Sequence, residues 1–185
     1  MESAKTKLQG REWRKDQYLI STDSSLVPIA KLIDIFNSEG FYWSKALPAP
    51  AMQEMLDNSL CFGLYEQAEP IGPSNATPEL KFLGIARLVT DYITFAYLTD
   101  VWVEPSCQGN GLGSWMVRCI DEVLETMPHL RRCLLFTGDW QRSVPFYDKL
   151  LRAKLVETRK GEGLAIMERK GRGHPTFNKE GTGYN

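Results

Sequence analysis

The sequence lacks any long apolar run. No stretch approaches the roughly 20 apolar residues that a membrane-spanning helix needs. Residues 1–17 are polar and charged, without the apolar core of a signal peptide. The expectation is a cytoplasmic or nuclear protein with no membrane partner. Charge of one sign is also missing: 22 Lys and Arg stand against 23 Asp and Glu, a net charge of -1. No global basic field is present to draw in nucleic acid, so no nucleic-acid partner is expected, a local patch aside. Metal-ligating residues are few. The chain has two histidines, His129 and His174, and four cysteines, Cys61, Cys107, Cys119 and Cys133. They form no CxxC pair and no His/Cys cluster, so no metal site is expected. Cys61, Cys119 and Cys133 lie in apolar runs, where cysteine acts as a small hydrophobe, and unpaired thiols fit a reducing compartment.

What is present is ordinary globular material: 185 residues, 43% hydrophobic and 24% charged. That length suits one domain. Residues 1–17 read as a loosely held arm, residues 18–170 as the domain and residues 171–185 as a glycine-rich polar tail. Tyr18 to Ser21 is a short strand. Leu26, Ile29, Ile33 and Phe36 recur at helical spacing behind the capping residues Ser21 to Ser24. Pro48 and Pro50 open a second helix through Met52, Met55 and Leu56.

Leu60 to Glu66, Lys81 to Asp91 and Thr94 to Glu104 read as strands, the last two forming an antiparallel hairpin. A helix follows over Ser114 to Glu125, then a strand over Arg132 to Thr137 and a helix over Gln141 to Leu150. Ala153 to Thr158 and Leu164 to Glu168 suggest a closing hairpin. This order implies an α/β (α+β) fold: a mixed, mostly antiparallel sheet flanked by helices.

The most informative segment runs from Asp100 to Ser114. A strand enters a loop with glycines at 109, 111 and 113, and a helix starts at once. Glycine lets successive backbone N–H groups converge, and with the positive helix end they form a cradle for phosphate oxygens. The spacing fits neither common nucleotide motif. A GxGxxG fingerprint would need glycine at Ser114 or Met116, and no Gly-Lys pair makes a P-loop. A tight strand-to-helix turn that binds nothing is the plain alternative.

The run Gln108-Gly-Asn-Gly-Leu-Gly113 resembles the (Arg/Gln)-x-x-Gly-x-(Gly/Ala) signature of the GNAT superfamily of N-acetyltransferases. The strand Leu98 to Pro105 is similar to the one that leads into that motif. Val144 to Leu150 resembles the family's short helix carrying a Phe-Tyr pair. Segments Ala86 to Asp91 and Thr94 to Asp100 look like a bacterial and fungal branch.

The resemblance implies the family fold, splayed at the cofactor strand, with acetyl-CoA as cosubstrate. The backbone of Val101, Trp102 and Val103 would pair with the pantetheine arm. Gln108, Gly109, Asn110, Gly111, Leu112, Gly113 and Ser114 would hold the pyrophosphate. Gln108 replaces the family's arginine, so it brings a hydrogen bond but no charge. Gln141 stands where many members carry a pantetheine-touching asparagine.

Acetyl transfer to an amine poses two proton problems. An alkylammonium, with a pKa of about 10.4, must lose a proton before it attacks, and the leaving thiolate must gain one. Tyr147 matches the family's proton donor, although the same residue also fits the apolar side of its helix. Asp100, directly before Val101, is the expected proton acceptor; a strand-end carboxylate bonded to backbone is the alternative. Asp91, Glu104 and Asp139 are weaker choices. Tyr42, Trp43, Tyr92 and Tyr97 are candidates to line the acceptor pocket by cation–π contact, or simply to pack. The implied reaction is direct transfer from acetyl-CoA to a primary amine of a small molecule. Two alternatives stay open: a protein acetyltransferase acting on lysines or N-termini, and a non-catalytic CoA-binding sensor. Family members often pair, which makes a homodimer an expectation.

Overall fold

A computed structural model describes residues 3–68 and 79–156. Eleven elements follow one another in these segments. They are α1 (Ala4–Leu8), β1 (Glu12–Lys15), β2 (Tyr18–Ser21), α2 (Ile29–Phe36), α3 (Ala49–Asp57), β3 (Leu60–Gln67), β4 (Leu80–Thr90), β5 (Phe95–Val103), α4 (Leu112–Glu125), β6 (Arg132–Leu135) and α5 (Ser143–Leu151). Two compact units divide the chain. The first comprises Met1–Pro28 and Gln53–Phe136, the second Ile29–Met52 and Thr137–Asn185.

The first unit holds the whole sheet, in the order β1-β2-β3-β4-β5-β6. The pairs from β1 to β5 are antiparallel and β5 pairs with β6 in parallel. The fold is thus mixed α/β with a mostly antiparallel sheet, as the element order implies. A parallel pair needs a crossover, and α4 supplies it between β5 and β6. Its buried residues Met116, Val117, Ile120, Val123 and Leu124 recur at helical spacing and cover one sheet face. β3 is buried along both faces from Leu60 to Tyr65, which explains its near-continuous apolar run. Gly63 is required there, because a Cβ would stand 2.2 Å from the buried Tyr65 hydroxyl.

The arm differs from its sequence reading. Residues 12–15 form β1, and Trp13 anchors it by stacking on Phe62 at 5.9 Å and donating to Glu122 of α4 at 2.5 Å. One large aromatic among charged neighbours gives this edge strand its hold, and polar composition alone conceals it. The first helix also starts later than its apolar spacing suggests. Asp23 caps only a short 3-10 turn over Ser24–Leu26, and α2 begins after Pro28. Proline disfavours the helical conformation in the residue before it, and Val27 is extended.

In the second unit, Phe36 and Phe41 stack at 4.1 Å, and Phe41 lies 4.2 Å from Trp43. Ala153 to Val156 are in no strand. The rest of the expected closing hairpin and the 171–185 tail lie outside the described residues.

Candidate active site

The glycine loop leaves β5 through a 3-10 turn at Pro105–Cys107. Gly109 and Gly111 have φ of 84° and 77°, a region that penalises any residue with a Cβ. A Cβ added at either would meet nothing within 4 Å, so both face open space. Gly111 is the N-cap of α4, and no side chain among the described residues caps the helix. The N–H groups of the first turn are therefore left to an outside acceptor, and the helix end is positive. No acidic residue lies in that turn to compete. Gly113 differs from the other two: its φ is not positive, and its Cβ would make ordinary contact with Val103 at 3.8 Å. The Gln108 amide donates to the Val103 carbonyl at 2.9 Å, which ties the loop to the end of β5.

β5 carries two irregularities just before this loop. Its parallel ladder with β6 runs from Phe95↔Arg132 to Leu98↔Leu135 and ends there. Among the described residues, no strand pairs with that side of β5 from Thr99 to Val103. On the opposite side, the register with β4 slips between Arg87↔Thr99 and Ile85↔Trp102. Asp100 and Val101 together oppose Ala86, which is a β-bulge. Asp100 takes the left-handed position at φ 53°, where bulges of this kind usually carry glycine. Gly84 allows the close approach beside the bulge, since a Cβ there would lie 2.7 Å from the Trp102 carbonyl oxygen.

Asp100, the expected proton acceptor, is buried. Its Oδ2 accepts from Arg87 Nε at 2.8 Å and its Oδ1 from Thr99 Oγ1 at 3.3 Å. Arg87 Nη1 also donates to Ser59 Oγ at 2.9 Å, and Ser59 Oγ donates to the Met55 carbonyl at 2.8 Å. Sequence reasoning missed Arg87 and Ser59. The signal was a lone arginine in the otherwise apolar run Phe82 to Leu88. Asp91 binds the hairpin turn instead: its carboxylate accepts from Ile93, Thr94 and Phe95 N–H and from the Thr94 hydroxyl. Those bonds hold its pKa well below the usual carboxylate range. Glu104 caps the 3-10 turn through its backbone carbonyl. Half-buried Tyr92 has Lys5 Nζ 6.0 Å from its ring centre, and its buried hydroxyl finds no hydrogen-bond partner among the described residues. Tyr97 lies 5.6 Å from Phe136.

The second unit carries the other expected residues. Half-buried Tyr147 sits on α5 with its ring edge-on to Phe146 at 5.1 Å. Burial pushes its phenol up to about 12. Asp139 braces the start of α5 by accepting from Arg142 N–H at 2.9 Å and Arg142 Nε at 2.8 Å, which lowers its pKa. Gln141 is exposed in the same turn. Exposed Tyr42 packs edge-on to Trp43 at 5.2 Å, and a Cβ on Gly138 would come 3.3 Å from its hydroxyl.

A helix end with open glycines is fed by a bulged strand with a bare edge, an arrangement whose chemistry suits an extended, phosphate-bearing ligand. The chain belongs to the acetyltransferase (GNAT) family, whose model matches residues 29–151. A Gibberella zeae protein, provisionally named an acetyltransferase, is 35% identical over 173 residues, covering 89% of this chain and 96% of that one. The crystal structure of a Xanthomonas campestris pv. campestris protein, provisionally assigned to the same family, aligns with a TM-score of 0.60 at 27% identity. It covers 90% of this chain and 100% of that one. The structure of a Deinococcus radiodurans protein, provisionally named an acetyltransferase, shares the fold at a TM-score of 0.54 and 21% identity, covering 86% of this chain and 94% of that one. The chain is therefore an acetyltransferase by family. Among the described residues no helix is long and apolar enough to cross a membrane.

Proposed function

We propose that this protein is an acetyl-CoA-dependent N-acetyltransferase that acts on a primary amine of a small molecule, with both substrates bound at once. One observation carries the reading: an uncapped α4 start, opened by left-handed Gly109 and Gly111, continues directly from a β5 edge that no described strand covers. The residues fit the cosubstrate. The space beside both glycines is open, and the first-turn amides suit a diphosphate. Backbone groups of Val101, Trp102 and Val103 suit the amides of a pantetheine arm, as a strand edge suits an added strand.

Bound acetyl-CoA supplies an activated acetyl thioester. The chain's own part is to orient it and to manage protons. Tyr147 Oη is assigned the proton for the leaving sulfur. Its raised pKa keeps that proton in place across the neutral and mildly alkaline range. Gln108 contributes by fixing the loop to Val103, and the charge on the diphosphate is met by backbone amides instead of an arginine. Gln141, Tyr42, Trp43, Tyr92 and Tyr97 remain assigned to the pantetheine and acceptor contacts. The cytoplasm is the proposed compartment.

Titration calorimetry with acetyl-CoA, followed by thiol-release assays on a panel of small amines and a panel of lysine and N-terminal peptides, tests the reading. Binding with turnover on small amines is expected. Turnover on peptides alone would make the protein a protein acetyltransferase. Binding with no turnover would favour a sensor, and no binding removes the proposal.

A further inference from the structure

We propose that Arg87 is a positioning residue that holds the β5 bulge open for acetyl-CoA, with Asp100 as its anchor and Ser59 as its brace. Asp100 then serves the strand's shape and is not the proton acceptor. The inference rests on the acetyl-CoA reading above.

The bulge needs a holder. Asp100 is a non-glycine residue at φ 53°, a conformation that persists only where the surroundings over-determine it. The register slip shows what that conformation does. Two residues of β5 are spent against the single Ala86, so the strand turns as it passes Asp100. The turn begins two residues beyond the last pair with β6, Leu98↔Leu135. The bare edge therefore starts one residue before the bulge and runs through it.

Arg87 is placed to fix this point. It is the residue of β4 paired with Thr99, immediately before the bulge. Its guanidinium is rigid and planar, and it uses two separate nitrogens. Nε holds the Asp100 carboxylate and Nη1 holds Ser59 Oγ. Ser59 passes the constraint to the end of α3 through the Met55 carbonyl. The bulge is thus tied across β4 to the α3–β3 junction, all within the first unit. The ion pair is largely shielded from water, with side-chain exposures of 14% for Arg87 and 5% for Asp100.

The same contacts argue against proton transfer at Asp100. A general base must present an oxygen to the amine within hydrogen-bond reach, directly or through one water. Both Asp100 oxygens already accept from this chain's own donors, and one of those donors is cationic.

The test uses the full-length protein with Arg87→Met, Arg87→Lys, Asp100→Asn and Asp100→Ala. Each is read by acetyl-CoA titration calorimetry and by thermal melting. The pH dependence of kcat is then measured with an amine that the panel shows to be accepted. Arg87→Met should weaken acetyl-CoA binding by about tenfold or more, because small displacements of a binding strand are costly. Arg87→Lys should recover part of the loss through its remaining bond to Asp100.

Asp100→Asn should bind more tightly than Asp100→Ala, since asparagine tolerates the left-handed backbone and still accepts from Arg87. Its kcat should keep the wild-type rise with pH. Folded Arg87→Met or Arg87→Lys with unchanged affinity overturns the clamp alone. Loss of the rising limb in Asp100→Asn overturns it too, and restores the base. If Arg87→Met does not fold, the comparison of Asp100→Asn with Asp100→Ala decides. A wild type that fails to bind acetyl-CoA removes both this proposal and the transferase reading.

Discussion

Gly111 and Gly113 read alike in the motif and differ in the folded chain. Gly111 holds φ 77° at the start of α4, whereas Gly113 sits inside the helix, beside Val103. Alanine at 111 should cost about 1 kcal/mol or more of stability through its Cβ, and should also weaken acetyl-CoA binding. Alanine at 113 should do less of both; calorimetry and melting temperatures on the two variants check the order. Tyr147 allows a second residue-level expectation. Removing its hydroxyl by Tyr147→Phe should slow turnover by about a hundredfold while changing acetyl-CoA affinity far less, as measured by steady-state kinetics beside calorimetry. Both residues are legible in the sequence because a short motif names them. Arg87 is not. It meets Asp100 thirteen positions along the chain only because the β4–β5 register slips by one residue, and no residue type announces that slip.

At the scale of elements, the apolar runs of β3, β4 and β5 and the helical stripe of α4 announce themselves, since each element buries a face wide enough to impose its period. β1 does not, because it is a polar edge strand held by Trp13. The β4–β5 pair depends on a residue with no side chain. Gly84→Ala would drive a methyl group against the Trp102 carbonyl oxygen, 2.7 Å away on backbone that cannot swing aside. Overpacking of this kind costs about 1–3 kcal/mol. The melting temperature should fall accordingly, and acetyl-CoA affinity should fall with it, because the displaced strand also carries the open edge. A drop in stability with unaltered affinity would separate the edge from the binding of the cosubstrate.

For the molecule as a whole, the buried thiols set an alkaline limit. Burial raises Cys61 and Cys119 to about 12 and Cys133 to about 11, from an ordinary value of 9.0. The unfolded chain releases these protons first as pH climbs. Stability is therefore fully present below about pH 9 and is lost progressively towards pH 12. Urea unfolding at a series of alkaline pH values should show the decline, and replacing Cys61 with alanine should make it shallower. Half-buried Cys107 should be the first of the four labelled by iodoacetamide in the native protein.

The side of β5 from Thr99 to Val103 that no described strand pairs with has a cost as well as a use. A strand margin that no other strand covers will accept any extended backbone that fits, including one from a second copy of itself. On the proposed reading, a coenzyme seated along that margin would also protect the protein in the sense of a chaperone, by keeping wrong company out.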